Sequence, residues 1–152
     1  MGCETSAWLL EHSLQYNPTN IYRGNDSRVS YLINNDKAYL NALDKEIAKS
    51  KNGKINTEAK NITFKNGDLY YSIHNANIKM KGYKREDGKW IIKSTLYDVY
   101  DFTRIMTYMG DEWYEFANQA GLGTLANDAG VISQLAGIIN PYSITIEFYT
   151  TR

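Results

Sequence analysis

A chain of 152 residues, 43% apolar and 22% charged, has single-domain length and enough apolar content to bury a core unaided. Seventeen Lys and Arg balance seventeen Asp and Glu, so no overall basic charge points to DNA. One cysteine, Cys3, excludes an internal disulfide framework or a multi-cysteine metal site, and no apolar run is long enough for a simple transmembrane helix. The neutral total hides an asymmetry. Residues 1–104 hold sixteen basic and twelve acidic residues, whereas residues 105–151 hold no Lys or Arg and five acids. The plain reading is a C-terminal block that is mostly core. The alternative is a basic face contributed by the middle of the chain.

The N-terminus shows no basic segment followed by an apolar one, so no secretory leader is expected there. Thr5 to Gln15 reads as a short helix, with Ala7, Trp8, Leu10 and Leu14 at helical spacing and Thr5 or Ser6 as cap. Tyr16 to Ser27 reads as an Asn-rich loop containing Pro18 and Gly24. Asp26 or Ser27 can cap a helical region from Arg28 to Lys49, and Asn34-Asn35-Asp36 breaks it into two. Lys51 to Lys54 ends it.

Asn61 to Lys65 then reads as a short strand and Asn66-Gly67-Asp68 as a turn. Leu69 to Lys81 and Lys89 to Phe102 read as long strands, joined through Arg85-Glu86-Asp87-Gly88, whose Asp-Gly is a hairpin signal. In the second strand Trp90, Ile92 and Leu96 share a face, and the same register brings Asp98, Tyr100 and Phe102 onto it. An acid on the apolar side of a strand is a local conflict of the kind found at bulges and functional sites. Trp113 to Ala120 and Leu122 to Ile139 read as a pair of helices. The second is rich in Gly and Ala and is expected to be packed core rather than a membrane-inserting hairpin. Tyr142 to Thr150 alternates cleanly as a last strand. The order of elements predicts a single α+β domain over residues 1–152: N-terminal helices, an antiparallel sheet, a C-terminal helical pair and a final strand.

Phosphate-loop, dinucleotide-binding, nucleophile-elbow and zinc patterns do not occur. Two histidines, His12 and His74, cannot make a three-histidine zinc site. The segment that carries chemistry is Asp98-Val99-Tyr100-Asp101-Phe102 with Arg104. Two nearby carboxylates can hold Mg²⁺ or divide acid and base roles, and the arginine fork suits a diphosphate. In a regular strand Asp98 and Asp101 face opposite sides, so a shared site requires the strand to bulge or end there. Otherwise the segment is a strand end with solvated acids and a packed tyrosine. His74 is the histidine placed to serve as an acid or base. The lysines from Lys79 to Lys93, with Tyr83 and Trp90 among them, read as a solvated face or a loose match to single-strand binding.

Asp98-x-Tyr100-Asp101 resembles the signature of colicin M-like bacteriocins. That resemblance implies Mg²⁺-dependent cleavage of lipid II, the undecaprenyl-diphosphate-linked peptidoglycan precursor, in the periplasm, with Asp98, Tyr100 and Asp101 as site residues. The family pattern continues with a His-Arg pair, and here the corresponding stretch is Thr107-Tyr108, leaving Arg104 and His74 as replacements. More broadly, Trp8 to Leu14, Gly67 to Tyr71, Tyr97 to Phe102, Ala126 to Gly130 and Pro141-Tyr142 together resemble C-terminal toxin modules of bacterial polymorphic toxins. This implies delivery into a target bacterium and a cognate immunity protein as partner. The expected function is an antibacterial domain hydrolysing a phosphoester or diphosphate, acting in the periplasm. The alternatives are an RNase-type toxin using His74 in the cytoplasm and a non-enzymatic membrane-active or binding module.

Overall fold

Strand alternation organises the architecture. A computed structural model describes residues 4–65, 67–101, 134 and 137–152. The elements in order are α1 (Glu4–Ser13), β1 (Ile21–Arg23), α2 (Arg28–Asn34), α3 (Lys37–Lys49), β2 (Lys54–Thr63), α4 (Gly67–Ser72), β3 (Asn75–Lys84), β4 (Trp90–Tyr100) and β5 (Tyr142–Thr151). The strands form one sheet in the order β1-β5-β4-β3-β2. β1 runs parallel to β5, and the other neighbours are antiparallel. The fold is α+β, as the element order predicts, but the sheet is mixed rather than antiparallel throughout, because β1, unseen in the sequence, joins the edge parallel to β5.

One face of the sheet supplies the core. Ile78 and Met80 on β3, Ile92 and Leu96 on β4, and Ile146 and Phe148 on β5 are completely buried. Each such side chain contributes roughly 1.5–3 kcal/mol by leaving water. Leu9 of α1, Ile33 of α2, and Tyr39 and Leu43 of α3 cover them. At Gly82 the strands approach so closely that a Cβ would lie 2.3 Å from the Ile91 carbonyl oxygen, a position only glycine can occupy.

The helix break falls where Asn34-Asn35-Asp36 places it. Ser27, rather than Asp26, caps α2 through Ser30 N, and Asp36 caps α3 through Ala38 N at 2.7 Å. Several boundaries differ from the sequence expectation. The loop from Tyr16 to Ser27 contains β1, a three-residue strand too short to show alternation. β2 starts at Lys54 rather than Asn61, held by its pairing with β3 from Lys54↔Tyr83 onward; its outward Lys, Asn and Glu and its sparse apolar positions hide it in the sequence.

The largest correction concerns Leu69 to Lys81. Residues 67–72 form the helix α4, and the strand begins only at Asn75. The aromatic pair Tyr70-Tyr71 favours strand locally. Tertiary packing overrides it by burying Asp68, Leu69 and Ser72 on one helical face. His74 therefore lies in the connection after α4, at φ 56°, and not on a strand. The expected helices at Trp113–Ala120 and over most of Leu122–Ile139 lie outside the described residues. At the far end of the second, Gly137 is already in a turn at φ 73°, with its N–H donating to the Gln134 carbonyl at 3.0 Å.

Candidate functional site

The end of β4 holds the acids singled out by sequence. Trp90, Ile92, Ser94 and Leu96 are buried in alternation, and the next residue in that register is Asp98, which is half-buried. β4 pairs with β5 along its whole length, down to Asp98↔Ile144 and Tyr100↔Tyr142. Its pairing with β3 ends earlier, at Ile78↔Leu96. Among the described residues, Tyr97 to Tyr100 are thus held in the ladder from the β5 side alone. The strand stops at Tyr100, so Asp101 is released from strict alternation, as a shared site requires.

Asp98 Oδ1 accepts the Val99 N–H at 2.8 Å, which orients the carboxylate locally. Asp101 Oδ1 accepts from Gln134 Nε2 at 2.6 Å, drawing together two segments 33 residues apart. Tyr100 stacks on Tyr142 with ring centroids 5.3 Å apart at 26°. Burial pushes the Tyr100 phenol up to about 12. Burial, then the neighbouring Tyr100 and Asp98, also push Tyr142 well above the usual phenol range. Both rings are consequently neutral hydrogen-bond donors at physiological pH.

Sequence reasoning passed over two of these groups, Tyr142 and His12. The His12 ring meets Tyr142 edge-on at 4.7 Å, and its Nε2 donates to the Thr19 carbonyl at 2.8 Å. Trp8 lies 6.1 Å from His12, and the Arg23 guanidinium stands 4.1 Å over the Trp8 ring. A continuous aromatic file thus leads from Arg23 to Tyr100. Its only sequence signal was the i, i+4 spacing of Trp8 and His12 on one helix. Tyr142 is anchored by its hydroxyl to the Leu9 carbonyl at 2.8 Å, and Asn140 N binds the Ser13 carbonyl at 2.8 Å. These bonds fix the start of β5 against α1.

α1 itself is seated by Asp68. Its carboxylate accepts Thr5 N, Ser6 N and Ser6 Oγ, each at 2.9 Å, and Arg28 Nε lies 3.8 Å away. Burial alone would raise this carboxyl, but the Ser6 and Thr5 donors outweigh it and hold Asp68 below the usual range. A carboxylate at a helix N-terminus also meets the positive end of the helix dipole.

His74 sits apart from this file. Its ring meets Tyr70 edge-on at 4.6 Å, and its backbone carbonyl accepts from Phe64 N at 2.8 Å. Burial pushes its imidazole below the usual histidine range, so it is neutral at pH 7. Among the described residues no hydrogen bond joins its side chain to Asp98 or Asp101. Arg104 lies outside the described residues.

Asp98 and Asp101 are hard oxygen donors of the kind Mg²⁺ takes. Among the described residues no group of three or more His, Cys, Asp or Glu is placed to hold a metal ion. A Mg²⁺ here would therefore rely on these carboxylates together with substrate phosphate oxygens, a common arrangement for that ion. Among the described residues no helix is long and apolar enough to cross a membrane. Scans against protein-family models and searches of curated proteins and solved structures find no match to this chain.

Proposed function

We propose that the chain is an antibacterial toxin domain that hydrolyses a phosphoester or diphosphate at the end of β4. The observation that carries this reading is Asp98 on the core-facing side of β4, adjacent to the neutral stacked phenols of Tyr100 and Tyr142. An acid in that position departs from the apolar pattern of its own strand, and such departures concentrate at functional sites. Asp98 and Asp101 serve as Mg²⁺ ligands or as the base that activates water. Tyr100 positions the substrate by donating to a phosphoryl oxygen, and Arg104 balances phosphate charge. Bound Mg²⁺ would supply charge neutralisation at the phosphate. The resemblance of Asp98-x-Tyr100-Asp101 to colicin M-like enzymes supports lipid II as substrate, the periplasm as the place of action and a cognate immunity protein as partner.

The RNase reading draws support from the neutral state of His74, the form a general base needs. Expression directed separately to the periplasm and the cytoplasm distinguishes the two. Growth arrest confined to the periplasm supports the cell-wall reading, and arrest confined to the cytoplasm supports RNase action. Asp98→Asn and Asp101→Asn should each lower lipid II hydrolysis by about 100-fold or more, the scale of a lost acid-base group. Full toxicity in folded variants would overturn the assignment.

A further inference from the structure

The solvent face of the sheet carries a pattern that the Asp98 centre does not use. Four tyrosines stand more than half exposed on it: Tyr22 (59%), Tyr83 (54%), Tyr97 (60%) and Tyr149 (53%). Tyr22 and Tyr97 flank Thr145 from its two neighbouring strands, which sets them about 10 Å apart. Farther along the sheet, Tyr149, Lys93 and Lys81 lie side by side across three strands, and the adjoining row brings Tyr83 beside Lys54.

Charge is segregated onto the same face. Lys54, Lys79, Lys81 and Lys93 point outward against Glu58 and Glu147. Glu147 is already engaged, by Lys93 at 3.0 Å, Tyr22 at 2.8 Å and Thr95 at 3.2 Å. Among the described residues, Lys54, Lys79 and Lys81 form no salt bridge. The zero net charge of the chain conceals this positive, aromatic surface.

We propose that this face binds single-stranded nucleic acid. Unpaired bases stack on the tyrosines, and Lys79, Lys81 and Lys54 take the phosphates. A broad sheet face bearing separate exposed rings suits splayed bases, because stacking accepts any base and needs no groove readout. The spread from Tyr97 to Tyr83 matches roughly four nucleotides, the small end of such sites. The sequence pairs Tyr83 with Trp90, but Trp90 is buried at 8% exposure and belongs to the core. Tyr97 and Tyr149 take its place. This inference concerns the open face only and is read by binding, so it holds or fails independently of hydrolysis at Asp98.

The test is fluorescence anisotropy with fluorescein-labelled oligouridine and oligothymidine of about 12 nucleotides at low salt, beside a duplex and polyglutamate. Single strands should bind more tightly than the duplex and polyglutamate, and affinity should fall steeply with added salt. Tyr97→Ala and Tyr149→Ala should each weaken binding roughly tenfold, the scale of one lost base stack. Lys79→Glu and Lys81→Glu leave the core untouched and should weaken it comparably, so misfolding of a tyrosine variant does not decide the outcome. No binding to either single strand overturns the proposal. So does loss on lysine substitution with no effect of folded tyrosine variants. Equal affinity for polyglutamate also overturns it and marks the face as a docking site for an acidic protein.

Discussion

Removing the Asp68 carboxylate should unseat α1 and, through it, the aromatic file. Asp68 is 9% exposed and accepts three hydrogen bonds, two from backbone N–H groups of the first turn. A hydrogen bond to a charged group is worth about 1.5–3 kcal/mol, and water can replace part of it at half-buried Ser6. Asp68→Ala should therefore cost about 3–4 kcal/mol, which lowers Tm by roughly 6–16 °C in a domain of this size. Chemical denaturation measures the cost, and hydrogen exchange at the Thr5 and Ser6 amides locates it. The pH dependence follows from the same bonds. The folded carboxyl titrates below its unfolded value of 3.8, so its stabilisation is complete above that pH and is lost as pH falls through the folded value. The gap between wild type and Asp68→Asn should consequently close under acid. A cost of less than about 0.5 kcal/mol, typical of a surface substitution, would refute the reasoning, as would a gap that does not change with acid.

Tyr39 offers a second check. Thr150 Oγ1 donates to Asn34 Oδ1 at 2.7 Å, so it must accept from the Tyr39 hydroxyl at 2.7 Å, and Tyr39 in turn accepts from Ser94 at 2.9 Å. Tyr39→Phe strands the buried Ser94 hydroxyl and removes the donor to Thr150, which keeps its own bond to Asn34, and should cost about 2 kcal/mol. Adding Ser94→Ala, which removes the stranded hydroxyl, should recover part of that in urea melts. A double variant weaker than the single one by the full separate cost of Ser94→Ala would contradict the relay. Tyr100 makes an alkaline prediction. Its folded value of about 12 lies above the unfolded 10, so its contribution is present below pH 10 and is lost as pH rises between the two. Tyr100→Phe should flatten the stability profile in that window, and an unchanged slope would count against the burial of this phenol.

Much of the fold follows from local chemistry. Asn34-Asn35-Asp36 breaks the helical region because short polar side chains cap and turn the backbone, and Asp-Gly at 87–88 marks the β3–β4 hairpin for the same local reason. β5 announces itself by alternation that a one-sided sheet requires. The same alternation brought Asp98 to the core side of β4, where it lies. What the chain alone did not show depends on partners distant in sequence. Leu69 to Ser72 is helical where Leu69 and Ser72 are buried and Asp68 binds Thr5 and Ser6, more than sixty residues away. His74 leaves the strand register in consequence. The parallel pairing of β1 with β5 places Tyr22 on the open face, and α1 brings His12 to Tyr142 across a separation that no periodicity records. Sequence by itself determined the α+β class and the acids at the end of β4, because residue type and period act over a few positions. Tertiary structure decided which aromatics and charges stand together, because neither stacking nor segregation of lysines onto one face exists until the strands are ordered.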